Sequence, residues 1–164
     1  MNHLSGVDRL TNRFSIMRHG QSKANARGIT LTSLGSRGLS VLGDDDLLIT
    51  ALRNLLENAV AYSPEQTRVV ISTKKTGEGN AELSVADQGI GIPERDLERI
   101  FERFYRVDPA RSRATGGTGL GLAIVKHVMA AHNGKVTVHS VEGAGSTFTL
   151  FIPLRSEHAS TGAA

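Results

Sequence analysis

The sequence predicts an α/β (α+β) domain, a two-layer sandwich whose mostly antiparallel, mixed sheet has about five strands, with about three helices on one face. Two observations predict this fold. Short runs in which apolar and polar residues alternate come in neighbouring pairs, as antiparallel strands do. Two longer runs with apolar residues at helical spacing separate those pairs, and no strand–helix–strand unit repeats.

One globular domain is expected to occupy residues 28–155. The chain has 164 residues, the usual size of one domain, and 39% of them are hydrophobic. Residues 1–27 precede the domain as a segment in which a helix is predicted over 13–27. Residues 156–164 are small and polar, so we expect them to form a flexible tail.

The domain begins with two predicted strands and a helix. Alternation of apolar and polar residues predicts short strands at 29–32 and 39–42, with a turn at 33–38 between them. The next stretch, 47–62, has leucines and alanines at helical spacing and follows three aspartates that can cap a helix. Pro64 ends this helix because the residue before proline avoids the helical conformation.

Two hairpins and a second helix complete the predicted domain. Strands at 69–73 and 81–86 flank a glycine-containing turn. A loop with one short helix at 94–104 follows, and a strong helix then covers 120–132 before an Asn-Gly stop signal. Two alternating strands, 136–141 and 146–152, close the domain.

Composition excludes several classes of function. The chain has no cysteine, which excludes disulfides, thiolate metal sites and a cysteine nucleophile. The net charge of +3 comes without a dense basic run or interleaved aromatic residues, so we expect no nucleic-acid partner. No apolar stretch reaches the roughly 20 residues of a membrane span. The first residues lack the apolar core of a signal peptide, which predicts a cytoplasmic chain.

Asn54 and Asn58 lie four residues apart on the predicted helix 47–62. This spacing places both amide side chains on one helix face. Neutral amide oxygens are hard ligands, suited to an Mg²⁺ ion that already carries phosphates and water. Taken alone, the pair fits two solvated helix asparagines better than it fits a metal site.

Asp87 follows directly after the predicted strand 81–86 and precedes Gly89 and Gly91. An ionised carboxylate at this place can accept a hydrogen bond from an exocyclic amine, and the two glycines let the backbone approach a flat ring. An ordinary turn that begins with aspartate is the alternative for this pattern.

A run of four glycines between 116 and 121 leads without a break into the predicted helix 120–132. Glycine-rich backbone at a helix N-terminus exposes N–H groups and the positive end of the helix dipole, which together form a ready phosphate site. A flexible linker is the alternative, but linkers rarely run straight into a strongly apolar helix. A further glycine-containing stretch, 142–148, indicates by itself only a hairpin turn.

These four clusters, in this order and spacing, resemble the N box and the successive glycine boxes of the catalytic domain of bacterial sensor histidine kinases. That domain belongs to the ATPase superfamily of gyrase, Hsp90, histidine kinases and MutL, and has the Bergerat-type ATP-binding fold. The stretch from Phe101 to Arg106 resembles the phenylalanine box of the same family. The resemblance covers about residues 28–154.

The resemblance implies a nucleotide site. Asp87 is implied to accept a hydrogen bond from the adenine amino group, in a pocket that Gly89 and Gly91 shape. Asn58 is implied to bind Mg²⁺ with the assistance of Asn54. The resemblance therefore implies that both asparagines are catalytic residues. Tyr62 is implied to lie near the nucleotide.

The resemblance also implies how the phosphates are held. A mobile lid is implied over about residues 106–118, hinged on Phe101 and Phe104. Arg111 or Arg113 is implied to reach the phosphates from this lid, and the spacing does not choose between them. The backbone that faces the phosphates is implied to be that of Gly117, Thr118, Gly119, Leu120 and Gly121.

For the whole protein, the resemblance implies a protein-histidine kinase of two-component signal transduction. Such a domain binds Mg-ATP and donates the γ-phosphoryl group to a histidine on a dimerisation domain. The acceptor domain and the response regulator are implied partners outside this chain, and the parent kinase can be anchored in a membrane. An ATP-binding module without transfer activity, as in a truncated or pseudo-kinase, is the alternative.

Two positions bear on this interpretation. Superfamily members that hydrolyse ATP carry a water-activating glutamate where this chain has Asn54, an amide that cannot act as a base, so transfer is favoured over hydrolysis. The residue before Tyr62 is often lysine in the family and is Ala61 here. One phosphate contact is therefore expected to be missing, and the lid is expected to supply more of the positive charge.

The segment around Arg18, His19 and Gly20 resembles the RHG motif of histidine phosphatases, in which the histidine is phosphorylated and the arginine binds phosphate. A phosphohydrolase that uses His19 is therefore a further alternative. That fold also needs an apolar strand before the motif and a second catalytic histidine on its own sheet. Residues beyond 28 already follow the kinase pattern, so the favoured interpretations are a helix leading into the domain or an artefact of a fusion or gene boundary.

Overall fold

The computed structural model describes residues 21–36 and 38–154, and the strands in this part of the chain form one five-stranded sheet. The strands are β1 (Thr30–Gly35), β2 (Arg68–Lys75), β3 (Asn80–Ala86), β4 (Lys135–Val141) and β5 (Gly145–Pro153). The helices are α1 (Asp45–Tyr62), α2 (Pro109–Ala114) and α3 (Gly121–Ala131). Residues 21–26 are also helical, and 3₁₀ turns occupy Glu94–Asp96 and Arg99–Phe101.

The sheet has the strand order β1-β2-β3-β5-β4. β1 and β2 are parallel, and the other neighbouring pairs are antiparallel. The parallel pair requires a crossover connection, which contains α1. The antiparallel pairs β2–β3 and β4–β5 are the two hairpins that the sequence predicts.

The helix α1 begins and ends at its sequence signals. The side chain of Asp44 accepts a hydrogen bond from the Leu47 N–H at 3.0 Å and caps the helix. Ser63 leaves the helix in an extended conformation before Pro64, as expected before proline. The apolar residues of α1 are buried at helical spacing: Leu48, Ala51, Leu52, Leu55, Leu56, Ala59 and Val60.

The hydrophobic core lies between one face of the sheet and the helices α1 and α3. Alternate residues of the central strands are buried on that face: Val69, Ile71, Leu83, Val85, Phe148 and Leu150. The other face is polar, because Ser84 Oγ lies 2.9 Å from Thr149 Oγ1 and Lys74 forms a 2.9 Å salt bridge with Glu82. The predicted sandwich with helices on one face is confirmed.

Two predictions near the N-terminus of the domain are wrong. A turn is predicted at 33–38, but residues 33–35 belong to β1. The parallel pairing of β1 with β2 continues as far as Gly35, which lies opposite Thr73. The second strand predicted at 39–42 does not form. Val41 makes only an isolated bridge with Leu154, so this stretch has no continuous strand partner.

Two predictions in the long loop also need correction. The single short helix predicted at 94–104 is replaced by the two 3₁₀ turns, whose buried residues are Asp96 and Ile100. The helix α2 lies within the stretch predicted as a lid without regular structure. Asp108 caps this helix and Pro109 lies in its first turn, and both are sequence signals for the start of a helix.

Some predictions fall outside the described residues. These are the RHG-like motif with His19, the first part of the helix predicted over 13–27 and the tail at 156–164. The end of that predicted helix, 21–26, is helical. None of the described helices has the length and apolar character needed to cross a membrane.

Candidate functional site

A cavity of about 790 Å³ lies between α1, the loop after β3 and the segment that leads into α3. This volume is typical of a small-molecule pocket. The cavity brings together most of the predicted site residues: Asn54, Asn58, Tyr62, Asp87, Gly91, Arg111, Gly117, Thr118, Gly119 and Gly121. Gly89, Arg113 and Leu120 are described by the structure but do not line it.

The helix α1 contributes a polar wall. Asn54 and Asn58 both line the cavity, as expected for residues four apart on one helix face. Asn54 Nδ2 donates to the Thr50 carbonyl at 2.9 Å, which fixes the plane of the amide. A Cβ on Gly121 would lie 2.9 Å from Asn54 Oδ1, so glycine at 121 lets α3 begin this close to α1.

Asp87 is held rigidly where β3 ends. Its Oδ1 accepts hydrogen bonds from the N–H groups of Gly89 at 2.8 Å and Ser146 at 3.3 Å. Burial raises the pKa of the Asp87 carboxyl above its ordinary value, and these two backbone hydrogen bonds oppose the rise. Both bonds use Oδ1, which leaves Oδ2 able to accept a hydrogen bond from a ligand in the cavity.

Gly89 and Gly91 allow the Asp87 loop to pack closely against the protein's own backbone. A Cβ on Gly89 would lie 2.8 Å from the Tyr62 carbonyl oxygen. Gly91 has φ +70°, and a Cβ there would lie 2.1 Å from the Val141 carbonyl oxygen. The two glycines therefore set the position of the cavity wall, although only Gly91 lines the cavity itself.

The N-terminus of α3 is open toward the cavity. Among the described residues, no side chain caps this helix, and Leu120 occupies the cap position. Thr118 Oγ1 accepts from the Leu120 N–H at 3.3 Å. The first N–H groups of a helix have no partner within it, and the helix dipole is positive there, so the arrangement favours an anion.

Two contacts hold together the ends of the segment 104–119. The Phe104 N–H donates to the Gly119 carbonyl at 2.8 Å, and Arg106 Nη2 donates to the Gly117 carbonyl. Phe104 has φ +65° and is 71% exposed. Phe101 instead packs edge-on against Phe148, with ring centroids 6.4 Å apart. The segment that contains α2 is therefore a closed loop joined at its base.

The position of α2 distinguishes the two candidate arginines. Asp108 caps α2 by accepting from the N–H groups of Ala110 and Arg111 at 3.0 and 3.1 Å. Arg111 lines the cavity, whereas Arg113 does not. The geometry thus favours Arg111 as the cation that faces a ligand.

Tyr105 also lines the cavity, although the sequence motifs did not assign it to the site. Its hydroxyl donates to Asp96 Oδ1 at 2.6 Å, and the Arg99 guanidinium lies 4.2 Å from the centre of its ring. The hydrogen bond to Asp96 raises the pKa of Tyr105. Tyr105 lies within the phenylalanine box, so its place in that motif is a signal that could have identified it.

Other cavity residues include Glu57 of α1 and four residues from more distant parts of the chain: Lys23, Arg27, Ser146 and Phe148. Ser146 belongs to the glycine-containing stretch 142–148, and the register of the sheet, which pairs Ala86 with Thr147, sets 146 beside 87. Arg27 could not be found from the sequence, because its guanidinium donates to the carbonyls of Val60 and Ser63, more than 30 residues away.

The donor set of the cavity fits a metal ion that arrives with a phosphate ligand. No group of three or more His, Cys, Asp or Glu side chains among the described residues could hold a metal ion. Mg²⁺ in phosphate sites is commonly bound by one or two protein oxygens, with water and phosphate oxygens as the remaining ligands. The amide oxygen of Asn58 is a suitable protein ligand of this kind.

Comparisons with known proteins identify the family of this chain. The sequence pattern of the family described as "Histidine kinase-, DNA gyrase B-, and HSP90-like ATPase" matches residues 43–156, more than half of the chain. The sensor-like histidine kinase SenX3 of Mycolicibacterium smegmatis is 58% identical over 139 residues. That match covers 85% of this chain and 36% of the relative, so the chain spans little more than a third of the relative's length.

Two solved structures are similar in fold and sequence. The mycobacterial sensor histidine kinase MprB matches with a TM-score of 0.72 and 32% identity over 87% of this chain and 94% of that chain. Full-length ShkA, solved in complex with AMPPNP, matches with a TM-score of 0.80 and 30% identity. The ShkA match covers 100% of this chain and 33% of that one.

Proposed function

Because this chain belongs to the histidine kinase-, DNA gyrase B- and HSP90-like ATPase family, and its relatives include sensor histidine kinases, we propose that it is a sensor histidine kinase catalytic domain. It binds Mg-ATP in the cavity and donates the γ-phosphoryl group to a histidine on a dimerisation domain. The observation that carries the proposal is that Asp87, Asn58 and the open N-terminus of α3 line one cavity.

The adenine ring is proposed to lie at the Asp87 end of the cavity. Asp87 Oδ2 accepts from the exocyclic amino group, and the backbone at Gly91 and the Tyr62 side chain flank the ring. The rigid attachment of Asp87 Oδ1 to two backbone N–H groups keeps this acceptor in place. The similar ShkA structure contains AMPPNP, which supports a nucleotide as the ligand.

The phosphates are proposed to lie between α1 and the N-terminus of α3. Backbone N–H groups from Gly117 to Gly121 and the guanidinium of Arg111 bind the phosphate oxygens. Asn58 provides a protein ligand to Mg²⁺, which neutralises phosphate charge when it is bound. Asn54, whose amide is fixed by its hydrogen bond to Thr50, lies beside Gly121 at the start of α3 and so assists Asn58 from the same helix face.

The reaction is proposed to be transfer to histidine. The bond between the γ-phosphorus and the bridging oxygen breaks, a bond to an imidazole nitrogen forms, and ADP leaves. Such a transfer depends mainly on positioning and charge neutralisation. The amide of Asn54 cannot accept a proton from water at neutral pH, which favours a histidine acceptor over hydrolysis. Domains beyond this chain supply the acceptor and the response regulator.

A transfer assay tests the proposal. The chain is incubated with Mg²⁺, γ-labelled ATP and the isolated dimerisation domain of a related sensor kinase whose own catalytic domain phosphorylates it. The expected result is a labelled acceptor with the parent chain and none with Asp87→Asn. Binding of ATP without labelling would instead indicate an ATP-binding module. Rapid release of labelled phosphate without labelled acceptor would indicate a hydrolase.

A further inference from the structure

We propose that Lys23 is a phosphate-binding residue of this nucleotide site, and that it supplies from the helical segment 21–26 a positive charge that α1 does not provide. The inference rests on the proposed function, because it adds a residue to the same site. Lys23 lines the cavity together with Glu57, Asn58 and Ala61.

The position of Lys23 follows from that of Arg27. Lys23 lies in the helical segment 21–26, Arg27 follows directly after that segment, and both residues line the cavity. The Arg27 guanidinium reaches the C-terminal end of α1, where it donates to the Ser63 carbonyl at 2.8 Å. Lys23 therefore faces α1 one helical turn before that contact, on the side where the cavity lies.

Apart from Arg111, which reaches the cavity from α2, the other cations that line the cavity are committed to backbone carbonyls. Arg27 and Arg106 also line it, but their guanidinium groups donate to backbone carbonyls, at Val60 and Ser63 for the first and at Gly117 for the second. Lys23 is exposed, and its ammonium forms no ion pair with any side chain in the ranges 21–36 and 38–154. Its side chain can turn toward a ligand without breaking a described contact.

The residues of α1 that line the cavity offer no positive charge to a phosphate group. The cavity face of this helix presents the uncharged residues Asn54, Asn58 and Ala61 together with the acidic Glu57, and no cation. Asp87 adds a second carboxyl group to the cavity lining. A triphosphate carries several negative charges, and their partial burial is unfavourable unless cations or oriented donors face them. A lysine ammonium is a compact charge on a flexible stem and can follow the phosphates.

Titration calorimetry with ATP, ADP and adenosine tests this role. Lys23→Ala is expected to weaken ATP binding about tenfold, to weaken ADP binding less, and to leave adenosine binding unchanged, because the ammonium contacts the terminal phosphates. Lys23→Arg retains the charge and is expected to stay within about threefold of the parent for ATP. The matched control is Lys126→Ala, which removes an exposed lysine of α3 that does not line the cavity.

Two outcomes would overturn the inference. Unchanged ATP affinity in Lys23→Ala would show that the ammonium does not contact phosphate. An equal loss for adenosine and ATP would show that Lys23 acts only through the structure of the site. Both outcomes are interpreted only if the parent chain binds ATP and the Asp87→Asn variant binds it more than about tenfold more weakly. Absence of ATP binding by the folded parent would instead reject the proposed function, and this inference with it.

Discussion

The main-chain N–H of Asp44 donates to Nε2 of His132 at 2.9 Å and so joins the N-terminus of α1 to the C-terminus of α3. Nδ1 of His132 lies 2.7 Å from the Val128 carbonyl oxygen, so Nδ1 carries the proton and Nε2 is the acceptor. A Cβ added at Gly43 would lie 2.4 Å from the nearest atom of the His132 imidazole, so only glycine fits at this position. This contact ties the two helices at the ends away from Asn58 and Gly121.

His132→Ala is expected to lower the free energy of unfolding by about 1–3 kcal/mol, because the Asp44 N–H loses its acceptor and the imidazole packing is lost. Urea denaturation measures the change. His127→Ala is the matched control, since His127 is exposed on the same helix and its removal is expected to change stability by less than about 0.5 kcal/mol. Equal stability of the two variants would show that the Asp44–His132 contact contributes nothing.

The elements that depend on neighbours in sequence are those that the sequence predicts well. The Asp44 cap, the helix spacing of α1 and the two hairpins are local patterns, and so is the place of Asp87 directly after β3. Contacts between distant residues left no such pattern. The Asp44–His132 hydrogen bond spans 88 residues, and the wrongly predicted strand at 39–42 depends on whether a partner lies beside it.

The candidate site follows the same division. The order of the sequence motifs predicted that Asn58, Asp87 and the glycines between 116 and 121 belong to one site, and all of these residues line one cavity. The choice between Arg111 and Arg113 required the direction of α2, which a loop-like sequence does not specify. Lys23 and Arg27 were missed because only the packing of 21–26 against α1 brings them to the cavity.

Gly91→Ala is expected to destabilise the fold by about 1–3 kcal/mol, since the residue has φ +70° and the added Cβ would lie 2.1 Å from the Val141 carbonyl oxygen. Thermal or urea unfolding measures this. Gly77→Ala provides the control, because Gly77 has no neighbour within 4 Å of an added Cβ and no positive φ. If Gly91→Ala is as stable as Gly77→Ala, the close packing of the Asp87 loop is not required.

Asp87 is expected to make stability depend on pH. Burial raises its native pKa above the ordinary value of 3.8, so the native state keeps the proton at pH values where the unfolded chain has lost it. Stability therefore falls as pH rises through the window between 3.8 and the raised native pKa.

Asp87→Asn removes this cost and can still accept the Gly89 and Ser146 hydrogen bonds through its amide oxygen. At neutral pH the variant is expected to be at least as stable toward urea as the parent, with its advantage lost as pH falls from the raised native pKa to 3.8. A variant that is less stable than the parent at neutral pH and equally so at low pH would contradict this expectation.

Arg111→Ala is expected to weaken ATP binding about tenfold, since a guanidinium that faces the phosphates forms charge-assisted hydrogen bonds. Arg113→Ala is the control on the same helix and is expected to leave the affinity within about twofold, because Arg113 does not line the cavity. Calorimetry with ATP and with adenosine measures both variants. If Arg113→Ala weakened ATP binding more than Arg111→Ala does, α2 would turn Arg113 toward the nucleotide on binding.

Titration calorimetry with a non-hydrolysable ATP analogue, with and without Mg²⁺, tests the central claim most directly. The parent chain is expected to bind the analogue more tightly with Mg²⁺, Asp87→Asn to lose more than about tenfold in affinity while staying folded, and Asn58→Ala to lose the gain from Mg²⁺. Asp46→Asn, an exposed acid of α1 that does not line the cavity, is the control and should bind like the parent. Failure of the folded parent to bind, or equal binding by Asp87→Asn, would contradict the assignment of this cavity as the ATP site.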